Sequence, residues 1–264
     1  MNLCPNLAPA NDAQNDFIPT LDLCPIDAPE CRGAVLICPG GGYANRADHE
    51  GKNIAHAFNA QGIHAFVVQY RVSPNKHPAP LCDVSRALRI IRTHANSWRV
   101  NFDRIAVCGF SAGGHLAASL GVHYDCELPG VSDETDMLSN RPDALILGYP
   151  VISAGEYRHK GSFNNLLGEA ATQESIEFMS LEKQVTEKSP PTFLWHTAED
   201  ASVPPENSML FAQALGKHNI PYELHVFPKG RHGLGLAPEL PNVAAWFDLC
   251  VTWVHTMGWP CARV

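Results

Sequence analysis

Apolar residues in this chain gather in short, regularly spaced runs. Those at 33–38, 63–70, 104–108, 144–147, 192–196 and 222–227 are mostly apolar and rich in β-branched residues, as expected of strands buried on both faces. Longer stretches at about 48–61, 80–97, 111–121, 204–218 and 240–256 have the apolar spacing of helices. Strand and helix alternate, which predicts an α/β fold with a mostly parallel central sheet and helices on both faces. A further run at 18–23 predicts an edge strand before the first core strand.

Two segments break the rhythm. Ser73-Pro74-Asn75-Lys76-His77-Pro78-Ala79-Pro80 is too proline-rich for regular structure and hands over to a helix near Asp83. Residues 152–190 hold a Gly161 to Gly168 segment and a polar, Glu-rich helix-like stretch. A long insertion in a compact domain is more often functional than idle, so it is read as a small cap over the site, against the alternative of a surface excursion. No repeat, linker or low-complexity tract divides the 264 residues, and a single domain over 1–264 is expected.

The chemistry is concentrated at Gly109-Phe110-Ser111-Ala112-Gly113. An apolar run, then G-x-S-x-G, then a helix-like run is the nucleophile elbow of an α/β-hydrolase. The tight turn lifts the serine hydroxyl clear of the backbone, and the helix start turns free N–H groups toward a developing oxyanion. In this fold the acid and then the base follow the serine in the chain. The loop after the strand at 192–196 offers Asp200, with Glu199 as its rival, and the loop after the last strand offers His232 between glycines. His115 stands one helical turn past Ser111, in the wrong place for the base, and is read as structural or site-lining. Pro39-Gly40-Gly41-Gly42-Tyr43 follows the first core strand, so Gly41 and Gly42, with Ala112, are the expected oxyanion donors. Tyr43, Tyr149 and His77 lie at carboxyl ends of strands, where α/β sheets place ligands, and are the candidate substrate-binding residues.

Composition narrows the partners. A net charge of −8 with no basic stripe argues against nucleic acid. No apolar run is long enough to span a membrane, and Met1 to Asp16 lacks the basic start and apolar core of a secretory signal, so a cytoplasmic protein is expected. The nine cysteines are irregularly spaced. Cys38, Cys108 and Cys250 read as buried hydrophobes, and Cys4, Cys24 and Cys31 as unpaired thiols close enough in sequence to bridge. His49-Glu50 with His56 misses the H-E-x-x-H spacing, and the glycines lack a phosphate-loop pattern, so neither a metal nor a cofactor is expected. A homodimer is left open.

Taken together, the triple-glycine segment, Tyr70-Arg71-Val72, His77-Pro78-Ala79-Pro80 with Asp83, the stretch from Gly109 to Ala117 and that from His196 to Pro204 resemble bacterial α/β-hydrolase esterases. The branch is related to hormone-sensitive-lipase-like enzymes, and within it the chain is most similar to acetyl esterases and acetyl xylan or feruloyl esterases. One departure is Pro39, where hormone-sensitive-lipase relatives carry His, which places the chain on the sugar-esterase side. The resemblance implies Ser111, His232 and Asp200 as the triad, Gly41, Gly42 and Ala112 as the oxyanion hole, and removal of short acyl groups, acetyl above all, from carbohydrate esters. A serine peptidase, an arylformamidase and a non-catalytic hydrolase-fold binding protein are the alternatives.

Overall fold

The computed structural model describes residues 1–3, 17–129 and 133–259. Its strands are β1 (Thr20–Cys24), β2 (Arg32–Cys38), β3 (His64–Gln69), β4 (Val100–Phe110), β5 (Ala144–Gly148), β6 (Thr192–Thr197) and β7 (Tyr222–Phe227). They form one seven-stranded sheet in the order β1-β3-β2-β4-β5-β6-β7. Only β1 is antiparallel, pairing with β3 at the edge, so the expected mostly parallel sheet and its added edge strand are both present.

The helices are α1 (Lys52–Ala60), α2 (Ala79–Thr93), α3 (Ala95–Trp98), α4 (Ser111–His123), α5 (Lys160–Leu167), α6 (Gln173–Phe178), α7 (Glu206–Lys217), α8 (Pro241–Ala244) and α9 (Trp246–Thr256). Successive strand residues point to opposite faces. Leu36, Val107, Leu147 and Leu194 therefore enter one apolar layer with α2, α4 and α7. Ile37, Cys108, Ile146 and Phe193 enter the other, with α1 and α9. Every residue of α4 is buried, and its small residues let it lie close on the sheet: a Cβ on Gly121 would stand 2.7 Å from Leu145 Cδ1.

Three boundaries differ from the sequence reading. β4 starts at Val100, not 104, because Val100 pairs with Arg32 across a register shift, although Asn101 and Asp103 look polar enough for a loop. The helix expected over 80–97 breaks at His94, and α3 ends at Arg99 in the left-handed region, φ 55°. The stretch at 240–256 divides into α8 and α9. Cys24 and Cys31 are both free thiols, and Cys4 lies outside the described residues. Among the described residues, no helix is long and apolar enough to cross a membrane.

Strand order reverses direction between β2 and β4, which lie side by side with Cys38 opposite Gly109. Loops leaving the carboxyl ends of two such strands diverge and open a crevice between them. The glycine loop leaves β2 there and Ser111 leaves β4, while β5, β6 and β7 deliver Tyr149, Asp200 and His232 at the same edge.

Candidate active site

Ser111 sits where β4 becomes α4, with φ +53°, a left-handed conformation that a non-glycine residue adopts at a cost. The backbone around it is packed to contact. A Cβ on Gly113 would stand 2.1 Å from Cys38 O, and one on Gly109 2.1 Å from Gly113 O, so both flanking positions require glycine. No side chain caps α4, which leaves its first amides, Ala112 among them, available to an anion beside Ser111.

His232 joins the two other polar groups. Its Nε2 lies 2.8 Å from Ser111 Oγ and its Nδ1 lies 2.6 Å from Asp200 Oδ2. With Nδ1–H donating to the carboxylate, Nε2 is left to accept the serine proton. Asp200 Oδ1 accepts from the amides of Ser202 and Val203, both at 2.9 Å. Burial opposes the charge on Asp200, but hydrogen bonds from His196 and His232 and from the Val203 amide outweigh it and hold the carboxyl well below the usual range. His196 Nε2 lies 3.4 Å from Asp200 Oδ2, and its Nδ1 is held by Ser208 Oγ at 2.8 Å. Glu199, the rival acid, is exposed and Asp200 is buried against the imidazole.

Gly41 and Gly42 have φ of 122° and 64°, and among the described residues their N–H groups have no hydrogen-bond partner. A Cβ on Gly42 would meet nothing closer than Ser162 Oγ at 3.9 Å, so this side of the loop borders open space. The loop is steadied from outside, because Asn165 Nδ2 donates to Gly42 O at 2.8 Å.

Of the three candidate substrate-binding residues, Tyr43 and Tyr149 are buried and His77 is half-buried. Tyr43 is 2 % exposed, and its hydroxyl meets His115 Nδ1 at 2.9 Å instead of walling a pocket. Tyr149 is 1 % exposed and lies beneath the His232 ring, edge to face at 5.0 Å. His77 is joined to the insertion: its ring packs on Phe178 and its backbone N–H donates to Leu166 O at 2.8 Å. For the two tyrosines, each hydroxyl finds a buried partner, so covering the ring gains apolar burial with little loss of hydrogen bonding.

His115 is a structural group. It is fully buried, Nε2 donates to Met179 O at 3.0 Å, and burial lowers its pKa to about 4. The neighbouring His123 likewise holds Phe178 O at 3.0 Å. The insertion therefore docks onto the elbow helix through histidines.

The sequence reading missed His159, the N-cap of α5. Its Nδ1 accepts from Ser162 Oγ at 2.8 Å and from the Ser162 amide at 3.3 Å, which leaves Nε2–H as a donor. Burial lowers its pKa, the charge of His232 lowers it further and that of Asp200 opposes the shift. The detectable signal was an N-cap position opening a helix inside the insertion, but nothing in the sequence brings that helix to the glycine loop. Among the described residues, no group of three or more His, Cys, Asp or Glu side chains is arranged to hold a metal ion.

The chain is similar to several known proteins. The chain is 45 % identical to the solved acetyl ester-xyloside bifunctional hydrolase of Caldicellulosiruptor lactoaceticus, with a TM-score of 0.94 over 98 % of this chain and 96 % of that one. It is 43 % identical over 232 residues to endo-1,4-beta-xylanase B of Butyrivibrio fibrisolvens, covering 86 % of this chain and 36 % of that protein. It is 32 % identical over 208 residues to the acetylxylan esterase of Xylanibacter ruminicola, covering 76 % of this chain and 41 % of the relative. The chain thus spans well under half the length of these two curated relatives. A match to the BD-FAE family spans residues 24–215, more than half of the sequence, so the chain belongs to the BD-FAE family and, with it, to the α/β-hydrolase esterases.

Proposed function

We propose that this chain removes short acyl groups, acetyl above all, from carbohydrate esters through a Ser111–His232–Asp200 acyl-enzyme mechanism, with residues 152–190 built into one catalytic domain. The observation that carries the reading is His232 spanning Ser111 Oγ at 2.8 Å and Asp200 Oδ2 at 2.6 Å. Ser111 Oγ attacks the ester carbonyl as His232 Nε2 takes its proton. The amides of Gly41, Gly42 and Ala112 receive the oxyanion, and Asp200 stabilises the imidazolium. The tetrahedral centre collapses, His232 returns the proton to the leaving alcohol, and acyl-Ser111 remains. Water, losing a proton to the same Nε2, then frees the acid and restores the serine. The acetylxylan esterase and the acetyl ester-xyloside hydrolase among the relatives support an acetylated sugar as substrate.

The test is acetate release from acetylated xylo-oligosaccharides beside a series of p-nitrophenyl esters from C2 to C12. The kcat/KM should peak at C2 or C3 and fall at least about tenfold by C8, while Ser111→Ala should lose roughly 10³-fold or more in kcat. A preference for C8 or longer with no acetate released would leave only the general esterase reading. A Ser111→Ala protein with a tenth of the wild-type rate would remove the nucleophile assignment.

A further inference from the structure

Glu50 is 2 % exposed and lies outside the chain of Ser111, His232 and Asp200. It ends a short 3-10 turn, Asp48–Glu50, behind the glycine loop. Oε2 accepts from the Gly40 amide at 2.7 Å, and Oε1 accepts from the Tyr149 hydroxyl at 2.6 Å. The same hydroxyl accepts from the Gly235 amide at 2.8 Å, and the Tyr149 ring lies against the His232 imidazole at 68°. One carboxylate thus connects the loop of the expected oxyanion donors with the loop and platform of the base. A second tether leaves the same turn, because His49 Nε2 lies 3.1 Å from Gly233 O, next to His232.

The space is closed around this connection. A Cβ on Gly40 would stand 2.6 Å from Glu50 Oε2, 2.7 Å from Phe110 O and 3.0 Å from Ser111 Cβ. Burial, and then the charge of Glu50, raises the Tyr149 pKa well above the ordinary tyrosine value, so the phenol stays a donor. A buried carboxylate is costly, and an apolar side chain of similar volume would fill the same space but leave the Gly40 amide and the Tyr149 hydroxyl without an acceptor. An apolar side chain could not accept from an amide on one loop and a hydroxyl on another. The carboxylate suits holding two loops in register, which is what a preorganised site needs.

We propose that Glu50 is a positioning residue that sets the oxyanion loop and the catalytic histidine relative to one another, acting through Gly40 on one side and Tyr149 on the other. The proposal rests on the ester-hydrolase reading of Ser111 and His232. A carboxamide at this position has a single acceptor oxygen, so it can serve Gly40 or Tyr149 but not both.

The experiment measures p-nitrophenyl acetate turnover of the whole chain as wild type, Glu50→Gln, Tyr149→Phe and the double variant. Competent sites are counted by titrating Ser111 with a fluorophosphonate. Glu50→Gln should lower kcat per titrated site about 10- to 100-fold with KM within about threefold, and Tyr149→Phe about 5- to 10-fold. The double variant should be no slower than Glu50→Gln alone, because the two residues act in series. A purely structural role would reduce the number of titratable sites and leave turnover per site at the wild-type value, which would overturn the proposal. Losses that multiply in the double variant would overturn it as well. Should Glu50→Gln fail to fold, Tyr149→Phe decides alone by the same per-site criterion. A wild-type protein without Ser111-dependent turnover would count against the ester-hydrolase reading itself, which keeps the two failures apart.

Discussion

The carboxyl edge of the sheet and the insertion at 152–190 both place polar groups near Ser111, by different means. At the sheet edge each group leaves the end of a buried strand: Ser111 from β4, Asp200 from β6 and His232 from β7. Their geometry follows from backbone register, and strands packed on both faces move little. The insertion has two short helices, α5 and α6, and no strand. It is fastened by side chains reaching out of the hydrolase body: His115 to Met179 O, His123 to Phe178 O, and Asn207, whose Oδ1 accepts from the Ile152 and Ser153 amides. The geometry of Ser111, Asp200 and His232 is thus set by the sheet, whereas the insertion is attached by side chains, two of which, His115 and His123, can titrate.

The largest expected effect tests the sheet side. Asp200 holds the His232 tautomer, so Asp200→Asn should cost about 10³- to 10⁴-fold in kcat. The exposed Glu199 carries no such bond, and Glu199→Gln should stay within about threefold of wild type. Steady-state kinetics on p-nitrophenyl acetate separate the two, and the reverse pattern would move the acid back one residue along the loop.

The same contrast explains what was legible in the sequence. Strand ends announce themselves, because apolar runs fix the strands and the chain order of serine, acid and histidine fixes the roles. That is why the sequence points to Ser111, Asp200 and His232, and His232 stands within hydrogen-bond reach of both others. The sequence places Tyr43 and Tyr149 on loops at the carboxyl edge but does not show which way their rings turn, since rotation of a ring into the core depends on a distant partner: His115 for one, Glu50 for the other. His49-Glu50 drew notice only as a fragment of a metal motif, and its position behind Gly40 is a tertiary fact without a local signature. The insertion was legible only as an interruption. Its helix α5 is short and opens on His159, a residue that seldom caps helices.

The second prediction tests the fastening. Burial lowers the His115 pKa to about 4, and burial followed by the nearby His123 lowers that of His77 to about 4 as well. In the unfolded chain a histidine titrates near 6.5, so the unfolded state takes up protons first as the solution is acidified. Stability is therefore complete above about pH 6.5, falls as the pH drops from there toward 4, and levels off below. For the fully buried His115 the loss reaches about 3 kcal/mol. Asp200, depressed below its usual value, adds its own loss only in more acid solution. Protection factors of the Leu166 to Leu181 amides, measured exchange corrected for the intrinsic rate at each pH, should fall across the window from 6.5 to 4. His115→Gln, which retains a donor for Met179 O without a titrating ring, should flatten the dependence of the urea midpoint on pH. An unchanged slope would show that the insertion is not held through this histidine.

The smallest effect concerns what the insertion contributes to the substrate. His159 keeps Nε2–H as a donor at the start of α5, and Ser162 faces Gly42 from the same helix turn. A sugar leaving group carries hydroxyls that such a donor can engage, and a p-nitrophenol leaving group does not. Removing one hydrogen bond of this kind costs about 0.5–1.5 kcal/mol, which corresponds to roughly 2- to 12-fold. His159→Ala should therefore lower kcat/KM for acetylated xylo-oligosaccharides by that factor more than for p-nitrophenyl acetate, chiefly through KM. The readout is the ratio of the two kcat/KM values in each protein, which cancels any general disturbance of the triad. An equal loss on both substrates would make His159 a support for His232, shared by all esters. A loss confined to the sugar would give the insertion a recognition role distinct from the chemistry at the sheet edge.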